Sequence, residues 1–392
     1  MILIRLVEFG FRLLAGTGGS YFAVLTTATF MLRQRVLESA STWPRFAVII
    51  PAHNEEHTIP NTLESLDELD YPPECYGVFV IADNCSDATA EVARGYGCTV
   101  LERAAPERRA KGYALSWAFE RIPEEYDAVV VVDADTKVDP GLLDTFARAY
   151  EPSAALQALN LQAVGSSASS VASFLASALQ NYLKPLGRES LGFSAGLGGN
   201  GMCIPRNLLD DVPWRRFGLA EDVEYHADLV LAGRKVLFVP EARVFATAPS
   251  SLSGLRSQRL RWERGRVEAL KRFAGPLLVR SIRKRDAASL ETLIAIAAPP
   301  LNLTTSASLG CLIFGSMRRS AISLAIGTLG VVAVAYAGIR TLWMVRAPAK
   351  VYAYSLILPL FIAWRTYISV RSLLQGVSKG WVRTERSRGE LD

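Results

Sequence analysis

Long apolar runs lie near both ends of the chain. Residues 13–32 carry no charged side chain, and about twenty helical residues span the roughly 30 Å core of a bilayer. Residues 289–315 and 320–339 form two more apolar stretches, separated by Arg318 and Arg319. The pattern predicts three membrane-crossing helices. Glycine and threonine weaken the first of them, which leaves an interfacial or signal-like role open for residues 13–32.

A fourth apolar stretch, residues 351–377, contains Arg365 and Arg371. A charge at the bilayer centre costs about 2.5–3.5 kcal/mol on insertion scales, so we expect this stretch to lie at the interface or to re-enter. Arg33 and the basic tail at 378–392 favour the cytoplasmic side of a membrane. The sequence therefore predicts a multi-pass protein of the inner (plasma) membrane whose soluble part faces the cytoplasm.

The middle of the chain alternates short apolar runs with helical patterns. The predicted strands cover residues 46–51, 76–87, 99–104 and 127–136. The predicted helices cover residues 58–69, 88–97 and 111–122. Thr58 is the expected N-cap of the first helix, and Pro60 lies in its first turn. Apolar strands that alternate with helices are typical of an α/β fold with a mostly parallel sheet covered on both faces.

These patterns divide the chain into four parts. They are an N-terminal membrane segment (1–43), a soluble domain (44–275), a C-terminal membrane region (276–377) and a basic cytosolic tail (378–392). The net charge of +5 and the basic residues at 256–285 favour contact with an anionic inner leaflet, and no motif points to nucleic acid. Five scattered cysteines without a C-x-x-C motif predict reduced thiols in a cytosolic domain.

Acidic side chains follow the predicted strands. Asp83 lies near the end of the second strand, and Asp133 and Asp135 lie at the end of the fourth. In sheets of this kind, ligands bind beyond the carboxyl ends of the strands, and an extended conformation would put Asp133 and Asp135 on one side. A divalent cation such as Mg²⁺ or Mn²⁺, which prefers a few carboxylates with substrate phosphates, would relieve their repulsion. The alternative is that each aspartate only caps the turn or helix that follows.

Five short motifs occur in order along the chain. They are PAHNEE (51–56), ADNCSD (82–87), DADT (133–136), AEDVEYH (220–226) and QRLRW (258–262). In this order they resemble the inverting glycosyltransferases of family 2, in particular the membrane-bound branch of cellulose, chitin and hyaluronan synthases. The resemblance covers residues 46–265. It implies the GT-A fold of nucleotide-diphospho-sugar transferases, an α/β domain with a mostly parallel, Rossmann-like sheet and flanking transmembrane helices.

The resemblance assigns residues to a nucleotide-sugar donor. These are Pro51, Glu55, Asp83, Lys111 and Asp133. Glu55 and Asp83 would accept hydrogen bonds from uracil or ribose, whereas Lys111 would add a cation near the phosphates or be a solvated helix start. Asp135, with Asp133 nearby, would hold Mg²⁺ or Mn²⁺ against the diphosphate. Thr136 stands where several synthases have histidine, so the third metal ligand is open.

The last two motifs concern the acceptor. The resemblance makes Asp222 the general base, which removes a proton from the acceptor hydroxyl, although acids are also stabilised at a helix N-terminus. The residues implied for the acceptor or the diphosphate are Glu221, Gln258, Arg261 and Trp262. Trp262 would stack on the acceptor sugar or lie at headgroup depth. The glycine-rich loop at 194–202 allows close approach to the acceptor or is a plain flexible loop, and His226 is predicted to be packed more than metal-bound.

Together these features predict a membrane-bound, metal-assisted inverting transferase. It would move a sugar from a UDP-sugar to a saccharide acceptor in polysaccharide, exopolysaccharide or cell-envelope glycan synthesis, with possible secretion-complex partners. One alternative is a single transfer to a polyprenyl phosphate or other lipid acceptor. A second is a nucleotide-sensing or scaffold subunit, which the presence of both Asp135 and Asp222 disfavours. The sugar, the linkage and processivity stay open at this stage.

Overall fold

The computed structural model describes residues 2–31, 43–162, 168–247 and 252–354, together with 362, 366 and 367. Most of the predicted interfacial stretch 351–377, the tail 378–392 and Arg33 lie outside the described residues. The chain forms two compact units. One, the sheet unit, comprises residues 34–163, 193–296 and 380–392, and the other, the helical unit, comprises residues 1–33, 164–192 and 297–379.

The described residues of the sheet unit form eight strands in one sheet. They are β1 (Phe46–Ala52), β2 (Tyr76–Asp83), β3 (Thr99–Arg103), β4 (Ala128–Val131), β5 (Thr136–Val138), β6 (Ala154–Gln162), β7 (Met202–Pro205) and β8 (Lys235–Ala246), and their order across the sheet is β3-β2-β1-β4-β7-β6-β8-β5. The first four strands across the sheet are parallel to one another, whereas β7 is antiparallel to β4 and β6, and β5 is antiparallel to β8. The predicted α/β fold is confirmed, with a mixed sheet.

Helices cover both faces of this sheet. They are α2 (Ile59–Asp67), α3 (Thr89–Gly95), α4 (Lys111–Phe119), α5 (Leu142–Ala149), α8 (Arg206–Asp211) and α9 (Glu221–Leu231), and two further helices, α10 (Leu252–Arg283) and α11 (Ala287–Ala297), share an apolar cluster with α9. Successive residues of β1 enter opposite apolar clusters: Val48 and Ile50 enter one, and Ala47 and Ile49 enter the other. Because β2 and β4 are both parallel to β1, the residues that follow them emerge at the same edge of the sheet.

The two aspartates after β4 do not extend the strand. Strand β4 ends at Val131 and β5 begins at Thr136, and the amide of Thr136 donates to the carbonyl oxygen of Asp133 at 3.2 Å. Asp133 and Asp135 therefore lie in a tight turn, and the prediction of an extended conformation here was wrong. An amide bonded three residues back closes a β-turn, which sets the directions of both carboxylates in place of strand alternation.

The helical unit contains the apolar segments of the chain. Its helices are α1 (Ile2–Ala28), α6 (Ala168–Ala178), which continues as a π-helical turn (Leu179–Leu183) into α7 (Lys184–Ser190), then α12 (Leu301–Arg318), α13 (Ala321–Met344) and α14 (Ala349–Tyr354). Glycines allow three of them to pack closely. A Cβ at Gly18 would overlap Thr304, and a Cβ at Gly19 would lie 3.1 Å from the Cα atom of Gly330. The glycines that dilute the apolar content of α1 are thus contact points with α12 and α13.

A buried ionic cluster also joins these helices. Glu8, only 4% exposed, accepts hydrogen bonds from Arg12 at 2.6 Å and from Ser323 at 2.5 Å. The guanidinium of Arg318 lies 3.5 Å from the same carboxylate. A buried carboxylate needs such partners, because an uncompensated charge in a protein interior is costly.

The described residues include one helix, Ala321–Met344, that is long and apolar enough to cross a membrane. The predicted span 289–315 is divided in the structure between α11 and α12, because Pro299 and Pro300 interrupt the helix. Helices α11 and α12 would form a second candidate membrane helix only if they cross the membrane together as one bent span. Helix α1 is not a candidate by this criterion.

Candidate active site

Asp83 lies at the carboxyl end of β2 and is held by an arginine from the neighbouring strand. Arg103 ends β3 and forms a buried ion pair with the Asp83 carboxylate. The side chain of Asn84 donates to the same carboxylate oxygen at 2.9 Å, and a ring nitrogen of His53 bonds the Asp83 carbonyl oxygen at 2.7 Å. These partners fix Asp83, which is 8% exposed.

The loop after β1 is tied to the loop after β2. The backbone amide of Glu55 donates to the Thr89 hydroxyl at 2.8 Å, and the Ser86 amide donates to the side chain of Asn54 at 2.7 Å. The carboxylate of Glu55 accepts a hydrogen bond from the hydroxyl of Thr58. Glu55 thus has a local structural partner at the start of α2. Pro51 lies in β1, paired in register with Ile81.

Lys111 connects several parts of the site. It is the first residue of α4, and its ammonium donates to the carboxylate of Asp133 and to the carbonyl oxygen of Gly199. Burial alone would lower the pKa of Lys111, but Asp133, Glu221 and Asp222 outweigh burial and raise that pKa above its ordinary value. Lys111 is therefore a charged ammonium among carboxylates at the start of α4.

The turn that carries Asp133 and Asp135 is anchored from both sides. Asn200, 2% exposed, accepts from the Asp133 amide at 3.1 Å and donates to the Thr136 hydroxyl at 2.9 Å. On the other side, the hydroxyl of Thr62 in α2 donates to the carbonyl oxygen of Ala134 at 2.9 Å. The side chain of Asp135 is nearly buried, at 8% exposure of the residue.

The glycine-rich loop has a defined conformation. The side chain of Gln157 accepts from the Gly198 amide at 2.8 Å and donates to the Asn200 carbonyl oxygen at 2.8 Å. Gly199 has φ = +76°, a conformation that favours glycine. A Cβ at this position would lie 3.1 Å from Oδ2 of Asp222. The backbone of the loop thus lies against the predicted base.

Glu221 and Asp222 begin helix α9. Burial, followed by repulsion from Asp222, raises the pKa of Glu221 to about 7. Burial also raises the pKa of Asp222, against the lowering effects of a hydrogen bond from the Val223 amide and of nearby Lys111. A carboxylate whose pKa is shifted toward neutrality can accept and release a proton near physiological pH.

Helix α10 packs against the residues that precede this acid pair. A Cβ at Gly265 would lie 2.8 Å from the Ala220 Cβ and 2.9 Å from the Leu219 carbonyl carbon. Gln258, Arg261 and Trp262 lie on the same helix, within two turns of Gly265. Gln258 and Arg261 are half-buried, whereas Trp262 is 47% exposed.

His226 has a structural role. It is 3% exposed, and its Nε2 lies 2.9 Å from the hydroxyl of Ser194, which in turn accepts from the Val236 amide at 2.9 Å. The prediction that His226 is packed and hydrogen-bonded is confirmed.

Three side chains that shape the site lie outside the five motifs, and the sequence analysis gave them no role: Arg103, Gln157 and Asn200. Arg103 could have been found, because it ends the strand after Asp83 and the carboxyl ends of adjacent parallel strands lie together. Gln157 carried no signal, since the sequence did not predict strand β6. Asn200 lies in the glycine-rich stretch, but only the fold pairs it with the aspartate turn.

The donor set at the aspartate turn fits a divalent cation. Among the residues that the structure describes, no three His, Cys, Asp or Glu side chains are grouped to hold a metal ion. Asp133 already attracts one cation, the ammonium of Lys111, and Asp135 follows two residues later. Two carboxylates completed by phosphate oxygens and water form the coordination shell that Mg²⁺ commonly takes.

The sheet has carboxylates beyond its parallel strands and an ammonium among them, at the edge where α/β folds bind ligands. The family model described as "Glycosyltransferase like family 2" matches residues 44–265. The chain therefore belongs to glycosyltransferase family 2.

Several relatives are glycosyltransferases by name. A probable glycosyltransferase YdaM of Bacillus subtilis is 24% identical over 60% of this chain and 58% of its own length. The poly-beta-1,6-N-acetyl-D-glucosamine synthase of Staphylococcus epidermidis is 24% identical over 59% of this chain and 56% of its own. A beta-monoglucosyldiacylglycerol synthase of Synechocystis is 28% identical over 57% of this chain and 48% of its own. The chain thus spans less than two thirds of these relatives.

A solved structure shares the fold. It is the mannosyltransferase of Pyrobaculum calidifontis in complex with GDP-Man and Mn²⁺, with a TM-score of 0.52 and 19% identity. The match covers 87% of this chain and 97% of that one. The predicted GT-A fold is confirmed.

Proposed function

We propose that this protein is a membrane-bound inverting glycosyltransferase that moves a sugar from a UDP-sugar to a saccharide acceptor in polysaccharide or cell-envelope glycan synthesis. One observation carries the proposal: Lys111 joins the Asp133 carboxylate to the Gly199 backbone, which lies against Asp222. Donor-side and acceptor-side groups thus meet in one site.

In the proposed reaction, Asp222 takes the proton of the acceptor hydroxyl. The hydroxyl oxygen forms a bond to the anomeric carbon, the bond from that carbon to the diphosphate oxygen breaks, and the electron pair leaves with UDP. Attack from the face opposite the leaving group converts an α-linked donor into a β-linked product. Lys111 stabilises charge on the diphosphate, as preorganised cations do in such sites.

Asp133 and Asp135 would hold a divalent cation at the diphosphate. When bound, such a cation neutralises charge on the phosphate oxygens. The Mn²⁺ in the mannosyltransferase complex named above is consistent with this assignment. Measuring the affinity for the nucleotide at increasing concentrations of Mg²⁺ or of Mn²⁺ would show which ion is preferred.

Asp83 would bind the nucleoside of the donor. Arg103 neutralises the charge of Asp83 and holds its carboxylate at the sheet edge, where it would accept a hydrogen bond from uracil or ribose. Glu55, engaged by Thr58, would contribute through the position of its loop. A titration with UDP and GDP tests which nucleotide is preferred.

A lipid acceptor is the second candidate, supported by the name of the Synechocystis relative, a beta-monoglucosyldiacylglycerol synthase. Such an enzyme adds one sugar to each acceptor, and its product is extractable into organic solvent. Radiolabelled UDP-glucose and UDP-N-acetylglucosamine, followed by product sizing, separate the two candidates: a saccharide transferase lengthens an oligosaccharide, whereas a lipid transferase yields an extractable glycolipid.

Asp222→Asn tests the role of the base. We expect turnover to fall by about 10²–10⁴-fold, the usual contribution of a positioned general base, while UDP affinity in calorimetry is kept. Asp210→Asn is the control, because Asp210 is an exposed acid on α8. Turnover of the Asp222→Asn variant at the wild-type rate would contradict the assignment.

A further inference from the structure

Two aromatic rings outside the predicted motifs stack in parallel within the sheet unit. The rings of Tyr113 and Phe217 have centroids 4.3 Å apart and planes inclined by 2°. Phe217 is 37% exposed, whereas Tyr113 is half-buried. Tyr113 follows Lys111 by two residues, and Phe217 precedes Glu221 by four. The pair therefore joins two segments that both lead into the site.

The loop that carries Phe217 is fixed on each side of it. Arg216 donates to Asp228 at 2.5 Å, and its guanidinium lies 5.0 Å from the ring centre of Phe273. A Cβ at Gly218 would lie 2.8 Å from a carboxylate oxygen of Glu224. The neighbours of Phe217 are thus held by α9 and α10.

The same loop lies against the start of α4. A Cβ at Gly112 would overlap the carbonyl oxygen of Arg216, so the two backbones are in direct contact. Gly112 is the residue after Lys111, whose ammonium reaches Asp133 and is close enough to Asp222 for their charges to interact. The stacked pair therefore lies at the start of α4, next to the residue that approaches the predicted base, and Tyr113 packs against one face of the partly exposed Phe217 ring.

From this arrangement we propose that Phe217, backed by Tyr113, is the stacking platform for the sugar ring of the acceptor. The proposal rests on the proposed function, in which the acceptor is a saccharide. A pyranose ring has an apolar C–H face and hydroxyl groups at its edge. Placed flat on Phe217, it contacts an apolar surface while a hydroxyl at its edge is directed to Asp222.

The position of the platform favours the acceptor over the donor nucleobase. The residues assigned to the nucleoside lie at the carboxyl end of β2, where Asp83 pairs with Arg103. Phe217 instead lies on the segment that leads directly into Asp222. Trp262, a second exposed aromatic residue, lies one helical turn before Gly265, which approaches Leu219 and Ala220.

Steady-state kinetics of Phe217 variants tests the platform. Short oligomers of β-1,6-linked N-acetylglucosamine and of β-1,4-linked glucose serve as acceptors, with UDP-N-acetylglucosamine or UDP-glucose as donor. Phe217→Leu keeps apolar bulk but removes the flat ring, and we expect it to raise the acceptor KM by about threefold to tenfold, the range of one aromatic stacking contact. The donor KM is expected to stay unchanged. Phe217→Tyr retains a flat ring and is expected to keep the wild-type acceptor KM.

The control is Trp43→Leu, which removes an exposed aromatic ring that contacts the edge of another ring, that of Tyr71. It is expected to leave both KM values unchanged. Equal acceptor KM values for the wild type and the Phe217→Leu variant overturn the platform, as does a rise confined to the donor KM. In both cases the proposed function stands if the wild type still transfers sugar and Asp222→Asn does not. No transfer by the wild type to either oligomer overturns the saccharide assignment itself.

If the Phe217→Leu variant does not fold, the Phe217→Tyr and Phe217→Trp variants are measured in its place, because both retain a flat ring. A larger indole face is then expected to lower the acceptor KM or leave it unchanged. A higher acceptor KM in both folded variants overturns the proposal.

Discussion

At the scale of single residues, the site depends on the balance of charge around Lys111. One ammonium faces Asp133, Glu221 and Asp222, and its presence lowers the pKa values of both Glu221 and Asp222. Burial pushes the same two pKa values up. The ammonium thus offsets part of the effect of burial and favours the ionised form of the base.

Lys111→Met should therefore shift the pH profile of the enzyme. The base must be deprotonated, so activity rises with pH through the pKa of the acid pair. Loss of the nearby positive charge raises that pKa, and we expect the rising limb of kcat/KM to move up by about one pH unit. Because the diphosphate also loses a cation, kcat falls as well.

Lys235→Met is the matched control, since Lys235 is an exposed lysine on β8. For the Lys235→Met variant, the rising limb of kcat/KM against pH should coincide with that of the wild type. An unmoved limb in the Lys111→Met variant would show that Lys111 does not tune the base.

The charged residues of the site were more predictable than the neutral ones. Asp133 and Asp135 stand out because they form a short motif directly after an apolar run. Asn200 and Gln157 act through backbone groups of distant segments, and no local pattern marks such contacts. Among the aromatic residues, Trp262 was assigned to the site because it lies in the QRLRW motif, whereas Phe217 lies outside the five motifs and was not assigned.

At the scale of elements, local periodicity predicted the first half of the sheet unit. Strands β1 to β4 are short apolar runs between turns, so their composition and their environment agree. Strand β6 (Ala154–Gln162) instead consists largely of alanine, leucine and glutamine, which are good helix formers. Its pairing with β7 and β8 in the sheet interior overrides that preference.

Gly265 makes the position of α10 testable. Gly265→Ala would bring a methyl group within 3 Å of Leu219 and Ala220, so we expect α10 to move away from the start of α9. Since catalytic geometry tolerates little displacement, kcat should fall at least about tenfold. The measurement is kcat with thermal unfolding recorded in parallel.

Gly275→Ala is the matched control. Gly275 lies in the same helix, and a Cβ there would meet nothing within 4 Å. Its kcat is expected to equal that of the wild type. The importance of the close contact at Gly265 would be refuted if both alanine variants had wild-type kcat.

At the scale of the whole molecule, the chain interleaves its two units. Residues 164–192 belong to the compact unit that contains α1, α12 and α13, although they lie between segments of the sheet unit. Their membership depends on long-range packing, such as the close approach of Gly187 to the backbone of Leu25. Hydropathy alone cannot assign residues 164–192 to this unit, because the segment contains no long apolar run.

The proposed membrane location predicts how the chain fractionates. We expect the full chain to stay with membranes after washing with alkaline carbonate. The reason is that α13, which packs against α1 and α12, also has exposed apolar side chains such as Leu329 and Ile339. Detergent should release it. Complete release by carbonate alone would instead indicate a protein held at the surface by charge.

Strand β8 has a consequence for how this enzyme tolerates insertions and deletions. Its register with β6 jumps from Val239 to Arg243, and the residues after the jump pair with β5 and end at Thr247, whose amide donates to the Asp135 carbonyl oxygen at 3.1 Å. Length changes before the jump can be absorbed there. A single residue gained or lost after it would shift the aspartate turn, so natural variants of this chain should vary in length at Pro240–Ala242 and keep it constant from Arg243 to Thr247.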